Sequence, residues 1–287
     1  MKLSKGSLTI SIDLELAWGN WDNLTSYHVE HIQSGERIIT TRLLEIFDRY
    51  EIPVTWAFVA ALLDDKSAAD MPGDKTLWYA PDVIEKICAA RVTHDLGSHG
   101  GRHRYFDDMT EQQSIEDLQF AAHIHKANDF SLRSFVYPRN KVARTELLAG
   151  EGVAVFRGQD KAWHQNIRNR NVVLGRVANL VDKMAPIAPQ AVEPESVGDL
   201  SNLPGSMLLL SRDGVRRLVH PRVMSAKLEK GLRAAVRSKN VFHLWFHPSN
   251  FWSDTDRQFQ IFEDFIAKAS EHVASGDMEV RPMSGFA

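Results

Sequence analysis

The sequence predicts a single α/β barrel-like domain, and three observations carry that expectation. Short β-favouring apolar runs alternate with segments whose apolar residues recur at helical spacing, the pattern of a parallel sheet flanked by helices. The chain has 287 residues, which exceeds the prior of about 150 per domain, but α/β barrels routinely use such a length as one unit. The residues able to carry chemistry fall directly after successive strands. A parallel barrel gathers such residues at the C-terminal rim of its strands.

Taken in order, residues 8–14 form a short β-favouring run. Ile38, Ile39, Leu43, Leu44, Ile46 and Phe47 recur at helical spacing, Pro53 closes that helix, and 54–59 supplies a second buried strand. Pro81 opens a helix through Ile87. Cys88 continues the apolar pattern of Val83, Ile84 and Ile87 and is expected to be a buried thiol. A third strand covers 92–96. Thr110 with Gln113 reads as a capping box opening a helix whose inner face is Ile115, Leu118 and Ala122. Strand 134–137, a short helix at 145–148 and strand 153–156 follow. From 157 to 220 the chain is irregular and holds Pro186, Pro189, Pro194 and Pro204. Apolar residues persist there, so an excursion with short strands is expected, not a linker. Met224, Leu228, Leu232 and Val236 mark a helix, 241–246 a late strand, and Phe259, Phe262, Phe265 and Ile266 the last helix.

Composition narrows the function. Hydrophobic residues make up 44% and charged residues 25% of the chain, ordinary values for a soluble globular protein. The net charge of −3 argues against nucleic acid as a partner, because such binders carry a basic patch and a higher pI. Arg168, Arg170, Arg216, Arg217, Arg222 and Arg237 make the later half locally basic. They read either as a solvated face or as a contact surface for an anionic sugar carrier. Cys88 is the one cysteine, so no intrachain disulfide and no cysteine-based zinc site are expected. The N-terminus lacks the apolar region of a secretory signal, and no run of about 18 apolar residues occurs. A cytoplasmic protein without a membrane span is therefore expected.

Four blocks hold chemistry-bearing residues. Ser98-His99-Gly100-Gly101-Arg102-His103 follows the third strand. Histidines at this spacing share one face of a helical turn and can reach one ion, although twelve histidines make a chance pair common. Asp13 and Glu15 end the first strand on one face, opposite Leu8, Ile10, Ile12, Leu14 and Leu16. The plain alternative is an exposed strand end. His247 closes the late strand before Pro248, while His243, on the same parity, reads as a satisfied core histidine. Tyr137-Pro138-Arg139-Asn140 forms a rigid turn with hydrogen-bond donors after the fourth strand. Trp18, Trp21, Trp163, Trp245 and Trp252 offer flat faces for sugar rings, or simply pack in the core and rim.

These blocks, in this order, resemble the polysaccharide deacetylase family, the NodB-like carbohydrate esterases. Asp13 stands where the family has the first aspartate of its opening motif. Ile52-Pro53-Val54-Thr55-Trp56-Ala57-Phe58-Val59 is similar to its second-strand block, and 94–103 to its two-histidine metal motif. Tyr137-Pro138-Arg139-Asn140 matches its proline block and Leu244-Trp245-Phe246-His247 its closing histidine block; the match runs from residue 7 to about 280. The resemblance implies a distorted (β/α)7-type barrel over residues 1–287 and a metal-dependent hydrolase that removes an acyl group from an amino sugar. It implies a divalent ion, zinc first, held by Asp13, His99 and His103, with Glu15 as base and His247 as acid. Leu14 occupies the family's usual ligand position, so Asp13 and Glu15 must divide ligand and base between them. Val136 replaces the family's arginine two residues before the proline, and Arg139 or Arg133 is expected to take over its contact with the base. Tyr137, Asn140, Trp18 and Trp245 are expected to contact substrate. Two alternatives stand beside this reading: a non-sugar or metal-independent amide hydrolase on the same scaffold, and a non-catalytic sugar-binding protein.

Overall fold

The computed structural model describes residues 3–161, 174, 182 and 185–287. Its strands are β1 (Gly6–Leu14), β2 (Thr55–Phe58), β3 (Asp95–Ser98), β4 (Ser134–Val136), β5 (Val155–Arg157), β6 (Glu195–Val197), β7 (Leu200–Asn202), β8 (Met207–Leu208), β9 (Val241–Phe246) and β10 (Met278–Val280). They build one curled sheet in the order β6-β7-β5-β4-β3-β2-β1-β9-β8, with β10 beside the start of β1. Among the described strands every pairing is parallel except β6 with β7, and an isolated antiparallel bridge joins Val192 to Val241. Parallel neighbours need crossovers, and helices supply them: α1 (Ser26–His31) and α2 (Arg37–Tyr50) after β1, α3 (Asp65–Ala69) and α4 (Pro81–Cys88) after β2, α5 (Glu111–Ala127) after β3, α6 (Pro221–Ser238) before β9 and α7 (Thr255–Ala274) after it. This is the distorted α/β barrel that the sequence predicts.

β1 is the spine. It pairs with β2, β9 and β10 and is buried along its whole length. Strand alternation sends Leu8, Ile10, Ile12 and Leu14 outward into the main core under the helices, and Ser7, Thr9, Ser11 and Asp13 to the inner face. A second cluster closes the bottom of the barrel, where Ala57, Val136, Val155 and Val241 meet Met283 and Phe286 from the C-terminal turn.

Several expectations shift. β3 begins at Asp95 and not at 92, and β5 runs on to Arg157. The buried face of α5 is Ser114, Asp117, Leu118, Ala121, Ile124 and His125, rotated from the expected Ile115 and Ala122. The rotation turns Asp117 toward the loop after β3, where its carboxylate accepts backbone N–H groups of Gly101 and Arg102. Cys88 is exposed and not buried. Val83, Ile84 and Ile87 define the inner stripe of α4, and one residue further on the helix has already turned toward solvent. Among the described residues no helix is long and apolar enough to cross a membrane.

Candidate active site

Two strand ends and one loop bring the donor set together. At the end of β1 the backbone leaves the strand at Glu15 (φ −130°, ψ −18°) and passes through Leu16 at φ +45° into a 3-10 turn. Glu15 thereby stays at the inner rim beside Asp13 while Leu14 remains outside. His99 follows β3, and its Nδ1 lies 2.9 Å from the Val136 carbonyl oxygen. A carbonyl can only accept, so Nδ1 carries the hydrogen, which makes Nε2 the lone-pair atom of the neutral ring. Gly100 turns the chain at φ +78°. Gly101 allows close approach, since a Cβ there would come within 2.7 Å of the Asp117 carbonyl oxygen. His103 sits at φ +55°. The two histidines therefore share a folded loop, not the helical turn their spacing suggested.

Glu15 Oε2 lies 2.9 Å from His103 Nε2 and 3.3 Å from His99 Nε2. These approaches are close but misaligned as hydrogen bonds. Among the described residues, His99 Nε2 and both ring nitrogens of His103 are buried without a hydrogen-bond partner. Unpartnered imidazole nitrogens at this depth are costly unless something else binds them. One carboxylate oxygen and one nitrogen from each ring lie within 4.8 Å of one another. Two imidazoles and a carboxylate fit a divalent cation of the zinc type.

Asp13 lives differently. Arg157, wholly buried at the end of β5, donates Nη1–H to Asp13 Oδ1 (2.7 Å) and Nη2–H to Oδ2 (2.6 Å). Asn140 Oδ1 accepts from the same guanidinium at Nε (3.2 Å) and Nη2 (2.9 Å). The Trp245 ring lies 4.3 Å from the guanidinium carbon, and its Nε1–H donates to Asp160 at 3.1 Å. His247 Nε2 stands 3.6 Å from Asp13 Oδ2 and 3.7 Å from Glu15 Oε1. Burial works to raise both acids, but Arg157, His99 and His247 outweigh it at Asp13 and hold that carboxyl below its usual range. At Glu15, burial is likewise outweighed by His247 and His103, and the shift is well downward. Asp160, by contrast, is pushed up by burial, against Arg157 and Trp245. The geometry thus presents an ionised carboxylate beside an imidazole, next to an N,N,O donor set.

Asp13, Glu15, His99, His103 and His247 converge as expected, and all but His99 line one pocket of about 590 Å³. The two acids differ in their partners. Both Asp13 oxygens are held by a guanidinium, and Glu15 is the acid facing the imidazoles. Arg139 pairs with neither Asp13 nor Glu15: it donates to the Gly19 carbonyl (2.9 Å) and lies 3.7 Å from Asp22 at the rim. Arg133 precedes β4, at the opposite end of the strands. Arg157 makes the contact instead, and sequence reading missed it. The available signal was an arginine ending the apolar run 153–156. Strand parity corrects Tyr137, whose side chain is fully buried on the outer side against Phe106, Phe135 and Phe156. Trp18 is core as well, donating Nε1–H to the Trp78 carbonyl. Asn140 and Trp245 do line the pocket, while each also braces Arg157. Trp163, Arg168 and Arg170 lie outside the described residues.

Comparison with known proteins agrees with the fold. Residues 32–149 match the family model for polysaccharide deacetylases. A candidate polysaccharide deacetylase from Mycobacterium smegmatis is 18% identical with a TM-score of 0.65, over 98% of this chain and 88% of that one. Another from Pseudomonas aeruginosa PAO1 is 15% identical at 0.63, over 97% and 89%. Puue allantoinase is 15% identical at 0.64, over 99% and 90%. At these identities the likeness is one of fold. No curated protein sequence matches the chain.

Proposed function

The chain sides with the polysaccharide deacetylases in family match and in fold, and from that premise we propose that it hydrolyses the acyl-amide of an amino sugar, an N-acetyl group first of all. One observation carries the proposal. Glu15, His99 and His103 gather one oxygen and two ring nitrogens within 4.8 Å of one another, the nitrogens without hydrogen-bond partners, beside a pocket whose wall holds an ionised carboxylate, Asp13, 3.6 Å from an imidazole, His247. The pocket volume, about 590 Å³, is that of a site for a single small ligand. It favours one amino sugar, as in a cytoplasmic precursor of surface polysaccharide, over a long stretch of polymer.

A divalent cation held by Glu15, His99 and His103, zinc by ligand type, would supply Lewis-acid polarisation of the amide carbonyl and of the attacking water. The rest falls to the chain's own groups. Asp13 takes the proton of the water, and Arg157 keeps its carboxylate ionised and aimed. His247, in its protonated form, hands a proton to the departing amine. Asn140 and Trp245 hold Arg157 in place. Glu15 reaches inward from beyond Leu14 and supplies the ligand that Leu14 cannot, which favours an active enzyme over a binding protein with a lost site.

The test combines metal content with turnover. Purified protein should carry about one divalent ion per chain and release free amine from N-acetylated chito-oligosaccharides. Chelation should stop release and zinc should restore it. His99→Ala should lose both ion and turnover. Turnover indifferent to chelation would remove the cation from the mechanism. A bound ion without amine release from any N-acetylated sugar would move the activity to another amide.

A further inference from the structure

We propose that Ser11 and His243 form a one-way hydrogen-bond relay that locks the Arg157 guanidinium and, through it, the carboxylate of Asp13. Both are positioning residues, and their catalytic meaning rests on the reading of Asp13 as base. The parallel register of β1 and β9 sets His243 beside Thr9 and Trp245 beside Ser11. Inner-face parity then brings His243, Ser11 and Asp13 into one buried row. Sequence reading took His243 for a core histidine, and the structure shows what it is bonded to.

The direction of the chain follows from donor and acceptor chemistry. His243 Nδ1 lies 3.1 Å from the Pro204 carbonyl oxygen, which can only accept, so Nδ1 carries the hydrogen. Burial, with Arg157 nearby, pushes the ring down to about 3 and keeps it neutral, so Nε2 is an acceptor. Ser11 Oγ stands 2.9 Å from that Nε2 and donates its hydrogen to it. The Oγ lone pairs are then turned to Arg157 Nη1–H at 3.0 Å. The opposite tautomer would set a lone pair against the Pro204 carbonyl and two donors against the Ser11 oxygen. Only one direction satisfies every atom.

The lock is complete at the guanidinium. Arg157 has five N–H groups, and five contacts take them: Nε and Nη2 to Asn140, Nη1 to Ser11, and Nη1 and Nη2 to Asp13. Removing Ser11 Oγ leaves one N–H of a wholly buried cation unpaired and free to seek another acceptor. The fork that aims Asp13 Oδ2 at the pocket would tilt with it. A misplacement of about 1 Å at a reacting group lowers rate by about 100-fold.

The experiment compares wild type with Ser11→Ala, His243→Leu and His243→Gln. The glutamine amide keeps both a donor for Pro204 and an acceptor for Ser11. NMR of arginine side chains should show hindered rotation and separate Nη signals for Arg157 in wild type and His243→Gln, collapsed in the other two. The His243 ring should report the Nδ1–H tautomer. On N-acetylated chito-oligosaccharides, kcat should fall about 10- to 100-fold in Ser11→Ala and His243→Leu, with KM little changed and melting curves confirming a folded chain. His243→Gln should recover most of the loss. Unchanged Arg157 signals in Ser11→Ala, or an Nε2–H tautomer at His243, would overturn the relay. Absence of turnover in every form would count against the proposed activity alone, since the guanidinium signals decide the relay without substrate.

Discussion

Asp13 and Glu15 are two residues apart, both acidic, the first buried and the second partly exposed to the pocket, yet they meet opposite partners. Asp13 faces a guanidinium that is always charged and cannot leave. Glu15 faces two imidazoles whose lone pairs are free to bind a cation. A carboxylate already holding two charge-assisted hydrogen bonds has little left for an ion but remains a competent proton acceptor. Under the proposed hydrolysis these environments suit Asp13 to the role of base and Glu15 to that of ligand, the other way round from the division the family resemblance implies. Asp13→Asn should keep its ion, as read by metal analysis, and lose at least about 100-fold in kcat. Glu15→Gln should lose the ion. The reverse pair of results would restore the sequence-based assignment. Nothing local could have chosen between them, because the deciding partner, Arg157, is 144 residues away in the chain.

At the scale of elements, the loop joining β3 to α5 carries both histidines and is clamped from two sides. Gly100 and Gly101 carbonyls accept from the backbone N–H groups of Ala60 and Ala61, after β2. Asp117, one turn into the buried face of α5, accepts from Gly101 N–H at 2.6 Å and Arg102 N–H at 3.1 Å. Burial raises this carboxyl, and the two amides and Arg102 offset only part of the shift. Asp117→Ala would leave two sheltered N–H groups without acceptors, at about 1–3 kcal/mol each. The expected result is a lower melting temperature together with roughly 10- to 100-fold weaker ion binding, the usual scale for groups that support metal ligands. Asp117→Asn, which retains one acceptor oxygen, should fall between. Equal ion affinity in all three would detach α5 from the site. The start of this helix was legible, because Thr110 and Gln113 form the capping box the sequence announced. Its buried face was not, because Asp117 reads as a surface residue until the loop it serves is packed against it.

For the whole molecule, the strand–helix alternation was legible because burial leaves periodic traces: four aliphatic residues alternate along β1, and stripes mark α2, α6 and α7. The barrel interior left no such trace, and Arg157 and Ser11 gained their roles only when curling brought distant strands together. Another group, the half-buried His94, couples barrel stability to pH. It sits between sheet and helix against Phe47 and Trp56, and Val54 N–H donates to its Nδ1. Burial, only partly opposed by Asp48, lowers its pKa from 6.5 to about 4. The unfolded chain therefore takes up a proton on this ring near pH 6.5 and the folded chain not until about pH 4. The stability that the neutral ring contributes is full above pH 6.5 and is lost as pH falls through that window. The slope is at most about 1.4 kcal/mol per pH unit. His94→Asn keeps an acceptor for the Val54 amide and has nothing to titrate. Urea midpoints measured from pH 4 to 8 should converge for the two proteins toward the acid end, with wild type losing more stability than the variant between pH 6.5 and 4. Parallel curves across that range would mean that His94 stays equally neutral, or equally charged, in both states.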